Sequence, residues 1–420
     1  MATETSFRFI HAADLRLDDV CIAVEGLPGE VLNRLIDARL RAASRVFETA
    51  IREQVACVVL AGNLFTRRGS EQSQGAFASS AMFPSATFRS AMFLAEQCQR
   101  LASHHITVFW AEADEHPSRQ WPAAFPMPVN LVPIDSRQAT RMTTRQGHSL
   151  LVKQGSATES ETCWSTTNSD DRHAFRILVV PSSVVPASAI GLSDGYIAWG
   201  GDRGPARIST SAGTVIAAGT TQGDGPDDTG LRGCVVVGVR ADRTVTVRFE
   251  ETAAIHWHLE QTGIDDATGW DSLRSYLHAQ SAALSADTAA DAVLVRWVMS
   301  GHGSTFERLM HPEVRSVLQA EARRVLEQHK IPVHCIELTA VPDAIQQTRW
   351  RNGEDSGAML KLLAELVPRD RSLVDVGQIL SDAGREVDAA TTQIPEPHFD
   401  LKVYPAVVQR IARAMADQKT

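Results

Sequence analysis

The chain has 420 residues, of which 44 % are hydrophobic and 22 % charged, with a formal net charge of −9. It is long enough for two or three domains, and it holds no run of about 18 apolar residues that would span a bilayer as a helix. Its acidic balance and scattered Lys and Arg speak against unaided tight binding to a nucleic-acid duplex, because phosphate neutralisation needs a basic face.

The opening residues MATETSFRFI lack a basic segment followed by an apolar one, so no secretory signal is expected and the location reads as cytoplasmic. Six cysteines (Cys21, Cys57, Cys98, Cys163, Cys234 and Cys335) stand far apart without a C-x-x-C pair. They read as reduced and buried, not as a disulfide frame or a zinc knuckle.

Bulky Phe7, Phe9 and Ile10 predict a first strand that leaves through Ala12 and Ala13 to Asp14. Apolar residues from Val31 to Ile51 recur at helical spacing, predicting a helix or a pair over residues 30–52 that lies on a sheet. The run VACVVL (55–60) predicts a fully buried strand ending in Gly62 and Asn63. A loop insertion over 69–88, a helix over 87–104 and a strand over 106–110 follow, the last leading to Asp114, Glu115 and His116. The texture then changes to short strands at 130–133, 149–153, 176–180, 196–199, 214–217, 233–239 and 244–249, with a polar loop over 154–173. A βαβ-type first half and a strand-rich second half predict an α/β fold of two packed mixed β-sheets flanked by helices. Past residue 263 a helix (271–284), a strand (292–299), a helix (314–329) and a strand (333–339) suggest a small separate α/β module. Residues 359–366 and 407–415 read as short amphipathic helices, too isolated to be stable without docking on something.

The strand ends together resemble the calcineurin-like metallophosphoesterases, in particular their bacterial DNA-repair exonuclease branch (SbcD/YhaO-like). FIHAADLRLDD (9–19) is similar to that family's D-x-H element, VVLAGNLF (58–65) to its G-D element and ITVFWAEADEHPS (106–118) to its G-N-H-D element. FRILVVPSS (175–183) resembles the strand that carries its next histidine, and YIAWGGDRG (196–204) its G-H-x-H element. AAGTTQ and DDTGLRGCVVV, between 217 and 237, resemble the stretch that closes the domain in this branch. The resemblance covers roughly residues 7–260 and implies a metallophosphoesterase domain at 1–260. A small α/β capping domain at 264–345 and a linker with partner-docking helices at 346–420 would follow.

In that family two Mn²⁺-type ions about 3.5–4 Å apart activate water for attack on a phosphodiester. Carried over position by position, the ligand sites hold Asp14, Arg16 in place of histidine, Asn63 in place of the bridging aspartate, and Asp114 in place of asparagine. Glu115 stands where the histidine acting on the leaving group would be, and His116 where the next aspartate would be. Pro181, Gly201 and Arg203 occupy the remaining histidine positions. Proline and glycine side chains donate nothing, and a guanidinium stays protonated. At an effective dielectric of ~20, a cation about 5 Å from a doubly charged ion is repelled by roughly 7 kcal/mol. No catalytic or metal-ligating set is therefore expected to survive, and no metal cofactor. Arg16 and Arg203 are expected to pair with Asp14 and Asp114, taking the place of the ions.

Two other features attract notice. His256 and His258 alternate on a strand without a third ligand in sequence and read as surface, while GGDRG (200–204) lacks the spacing of a phosphate cradle. The lost ligands point to a catalytically inactive scaffold, and the resemblance implies a coiled-coil ABC/SMC-type ATPase as its partner, bound through the C-terminal helices. It would touch DNA only weakly or through that partner, and no membrane. The alternative is an active metal-dependent phosphoesterase or DNA exonuclease with a rebuilt site, using one ion on Asp14, Asp114 and Glu115.

Overall fold

The computed structural model describes residues 5–21, 27–65, 84–112, 117, 120–155, 173–181, 195–201, 204–210, 213–286, 288–326 and 332–343. It divides into two compact units, the first comprising Met1–His258 and Asp287–Leu294, the second Leu259–Ala286 and Val295–Thr420. The predicted insertion over 69–88 and the polar loop over 154–173 lie largely outside the described residues, and everything from 344 onward lies wholly outside them, including both expected C-terminal helices.

The first unit begins with β1 (Thr5–Ala13), α1 (Gly29–Arg52), β2 (Cys57–Ala61), α2 (Pro84–Ser103), β3 (Thr107–Ala111) and β4 (Leu131–Pro133). It continues with β5 (Thr140–Thr143), β6 (Ser149–Gln154), β7 (Phe175–Val180), β8 (Gly195–Trp199), β9 (Ala206–Thr210), β10 (Gly213–Ala217), β11 (Gly233–Arg240) and β12 (Val245–Glu251). Two six-stranded sheets result, in the orders β12-β11-β1-β2-β3-β4 and β5-β6-β7-β8-β10-β9. Both are mixed. β1 runs parallel to β2 and antiparallel to β11, and β8 runs parallel to β7 and β10 while β9 closes the edge antiparallel. This is the α/β architecture of mixed sheets expected from the sequence. Short β5 and β9 escape sequence reading because TRMT and ARIST carry almost no apolar signal.

Alternation along β1 explains how the layers join. Ile10 and Ala12 face one core with Val46 and Phe47 of α1, Leu94 of α2 and Trp110 of β3. Phe7, Phe9 and Ala13 face the opposite core, shared with Phe175, Ile177, Tyr196 and Ala198 of the second sheet. α1 buries Val31, Leu35, Ala38, Ala42, Val46 and Ala50, one stripe at helical spacing and a single helix throughout. The described cysteines, Cys21, Cys57, Cys98, Cys234 and Cys335, are free and buried, and burial pushes the thiols of Cys57, Cys98 and Cys234 up to about 12.

The second unit holds the later parts of β13 (Ile255–Ile264) and β14 (Ala292–Gly301), with α3 (Trp270–Ala286), α4 (Ser304–Leu309), α5 (Pro312–Leu326) and β15 (Val333–Pro342). Its three strands are ordered β13-β14-β15. At their ends His302 holds Asp343 at 2.7 Å through Nδ1 and stands 3.9 Å from Asp266 through Nε2. Among the described residues no helix is long and apolar enough to cross a membrane.

Candidate functional site

The exits of β1, β2, β3 and β8 meet at one rim of the first unit. Pairing of β1 with β2 continues past the strands: Asp14 N–H donates to Ala61 O, Arg16 N–H to Asn63 O and Leu17 N–H to Leu64 O, at 2.9–3.1 Å. Keeping that ladder puts Asp14 (φ 45°) and Arg16 (φ 47°) in the left-handed region, sparsely populated away from glycine. Gly62 (φ +90°) must be glycine here, because a Cβ would stand 2.6 Å from Asp14 Oδ1. Gly200 likewise lets β8 approach β2, since a Cβ there would meet Ala61 O at 2.8 Å.

Asp14 is buried, 1 % exposed, and N–H donors meet both its carboxylate oxygens. Oδ1 accepts from Asn63 N and Asn63 Nδ2, each at 2.9 Å, and Oδ2 accepts from Gly201 N at 2.7 Å. Asn63 thus presents its amide hydrogens to Asp14, where a carboxylate at the same position would repel it unless a cation lay between. The Arg16 guanidinium turns to Asp19 and Asp224, at 2.7 Å each, and buried Arg39 of α1 also pairs with Asp224. Asp19 and Asp224 are thus charges that Arg16 meets among the described residues, beyond the Asp14 and Asp114 that the sequence suggested. Pro181 follows β7 and is buried, and Gly201 takes part through its backbone N–H. Asp114, Glu115, His116 and Arg203 lie outside the described residues, so the pairing expected for Arg203 does too.

Glu112, one residue past β3, is a member of the rim that sequence reading missed. It is 2 % exposed, and its Oε1 accepts from Leu64 N at 2.8 Å and Trp110 Nε1 at 3.0 Å. Burial chiefly pushes its carboxyl up to about 7, with the nearby Asp14 charge adding to the shift and hydrogen bonds from Leu64, Trp110 and Gln120 opposing it. Its signal was present as an acid directly after the apolar run TVFWA, masked by the neighbouring Asp114 and Glu115. His11 was missed as well. It sits inside β1, fully buried, with Nδ1 3.0 Å from the Tyr196 hydroxyl, and desolvation pulls its imidazole down to about 3.

A pair of divalent ions does not fit the described part of this rim. Such a centre needs open carboxylate oxygens and neutral imidazoles. The rim instead offers a carboxylate whose two oxygens already hold three N–H groups, a second carboxyl, Glu112, whose pKa is raised to about 7, an amide donating inward, a guanidinium, a proline and a backbone N–H. Among the described residues no group of three or more His, Cys, Asp or Glu side chains is arranged to hold a metal ion. His256 and His258 stack at 6.0 Å, with Glu251 3.3 Å from His256 Nδ1, and they join no such group.

No family model matches the chain. It is similar to YhaO of Bacillus subtilis (strain 168), described as an uncharacterized metallophosphoesterase, with 26 % identity over 129 residues. The match covers 30 % of this chain and only 28 % of that protein. Together with the mixed-sheet α/β architecture, the similarity supports a distant relation to the metallophosphoesterases.

Proposed function

We propose that this chain is a metallophosphoesterase-like scaffold of the DNA-repair exonuclease type that has given up two-metal hydrolysis and serves as a binding partner. The observation that carries this reading is the state of Asp14. Its carboxylate is hydrogen-bonded by Asn63 N, Asn63 Nδ2 and Gly201 N, with Asn63 standing where the family bridges its ions through a carboxylate. An oxygen that accepts two N–H bonds has little lone-pair density left for an ion, and each N–H directs positive charge at the place an ion would occupy.

A scaffold needs something to hold. The amphipathic pattern of residues 359–366 and 407–415 supports docking on a partner, and the resemblance to the exonuclease branch makes that partner a coiled-coil ABC/SMC-type ATPase through which DNA would be met. The test joins two measurements on the purified full chain. Cleavage of a phosphodiester dye and of DNA ends is followed in excess Mn²⁺, and co-purification of the ATPase is compared with and without residues 355–420. The expected result is no metal-dependent cleavage, with an ATPase that is lost on truncation. Mn²⁺-dependent turnover abolished by Asp14→Ala would instead establish the rebuilt-site phosphoesterase.

A further inference from the structure

Asp14 does more than fail as a ligand: we infer that it is an internal strut that ties the rims of the two sheets together without a metal. The inference rests on the non-hydrolytic reading and adds a structural role for the carboxylate. Ions shared between strand ends of two sheets cross-link those ends, and a fold that loses the ions needs another tie. Asp14 leaves β1 of the first sheet, takes two N–H groups from Asn63 beyond β2 of the same sheet, and takes a third from Gly201 beyond β8 of the second. All three bonds are charge-assisted and part-buried, made to a carboxylate that is itself buried, a class of hydrogen bond that contributes more than neutral ones.

Several features of the rim match this role. Asp14 and Arg16 are held in left-handed backbone, which aims the Asp14 side chain back across the strand ends. Gly62 and Gly200 leave the space for that approach, the first against the carboxylate and the second against Ala61 O. A parallel bridge of Ala13 to Thr220, with Gly200 N donating to Val180 O at 2.8 Å, draws the surrounding backbone into the same knot. The carboxylate is therefore embedded in structure that would be costly to assemble around an open ligand.

The strut and a latent metal ligand predict opposite behaviour. Side chains kept for binding or catalysis usually cost stability, so their removal is neutral or stabilising. A strut is lost at a price in melting temperature. Asp14→Ala leaves three part-buried N–H groups without their acceptor and is expected to lower Tm by about 10 °C.

Should that variant not fold, Asp14→Asn keeps the volume and suits the left-handed backbone. It has one oxygen where two are needed, so the Gly201 N–H faces a second donor in one orientation and the two Asn63 N–H groups do in the other. Hydrogen exchange at the Asn63 or Gly201 amide should then quicken by roughly tenfold or more. Wild-type Tm should stay within about 1 °C on adding Mn²⁺ or EDTA, since a ligand that binds only the native state would raise it. A wild-type Tm that rises with Mn²⁺, an Asp14→Ala variant as stable as wild type, or unchanged exchange in Asp14→Asn would each overturn the strut. Phosphodiester cleavage with a Tm indifferent to Mn²⁺ would overturn the non-hydrolytic reading alone and leave the strut standing.

Discussion

The layer between the two sheets and the rim where their strands end each bury a titratable side chain, and the two respond to acid in opposite senses. His11, in the layer, has one buried contact through Nδ1 to Tyr196, and desolvation holds it neutral with its pKa lowered to about 3. Glu112, at the rim, accepts from Leu64, Trp110 and Gln120, yet burial and the charge of Asp14 still raise its carboxyl to about 7. Asp14 beside it collects three N–H groups from two sheets. The lesson is that position decides how many partners a buried acid meets across the sheets: Asp14 stands where the turns after β1, β2 and β8 converge, while Glu112 stands two strands along, beyond β3.

The largest expected effect lies in the layer. An unfolded His11 takes up a proton below pH ~6.5 and the folded one only near pH 3, so this stability is present above pH ~6.5 and lost as pH falls. The full loss is about 5 kcal/mol, of which about 2 kcal/mol develops between pH 7 and pH 5. Urea unfolding at those two pH values should show that part of the slope vanish in His11→Leu. An unchanged slope would mean that His11 is protonated in the folded protein.

The rim should drift the other way. Folded Glu112 holds its proton up to pH ~7 while the unfolded carboxyl releases it near pH ~4.5. Stability is therefore favoured at the acid end and falls by about 2–3 kcal/mol as pH rises from 5 to 8. Glu112→Gln should remove that decline in the same unfolding series. If the variant instead introduces a steeper decline, Glu112 is ionised throughout and the contrast between layer and rim collapses.

The smallest effect separates hydrogen bonding from burial in the layer. Tyr196→Phe removes the hydroxyl that His11 Nδ1 meets and should cost about 1 kcal/mol at pH 7, with the acid slope kept. A lost slope in Tyr196→Phe would show that the hydroxyl, not desolvation, sets the His11 pKa.

Much of the fold was legible because periodicity reports burial. VACVVL, FRILVV and GCVVVGV could only be interior strands, and the apolar stripe from Val31 to Ala50 could only be a helix lying on them. β5 and β9 were not legible, since edge strands need backbone partners more than apolar side chains. α4 was missed for its brevity, and the return of residues 287–294 to the first unit because such a crossing depends on contacts distant in sequence.

The amino-acid sequence by itself determined which side chains stand at the strand ends. Arg16, Asn63, Pro181 and Gly201 cannot do the work of imidazoles and a bridging carboxylate, and that is chemistry of residue type alone. Only the tertiary structure decided which partners the polar side chains among them meet. Asp14 meets Asn63 and Gly201, and Arg16 meets Asp224, across separations of 49, 187 and 208 residues. Charge and hydrogen-bonding capacity are properties of a residue, whereas the partner that satisfies them is chosen by how the sheets pack.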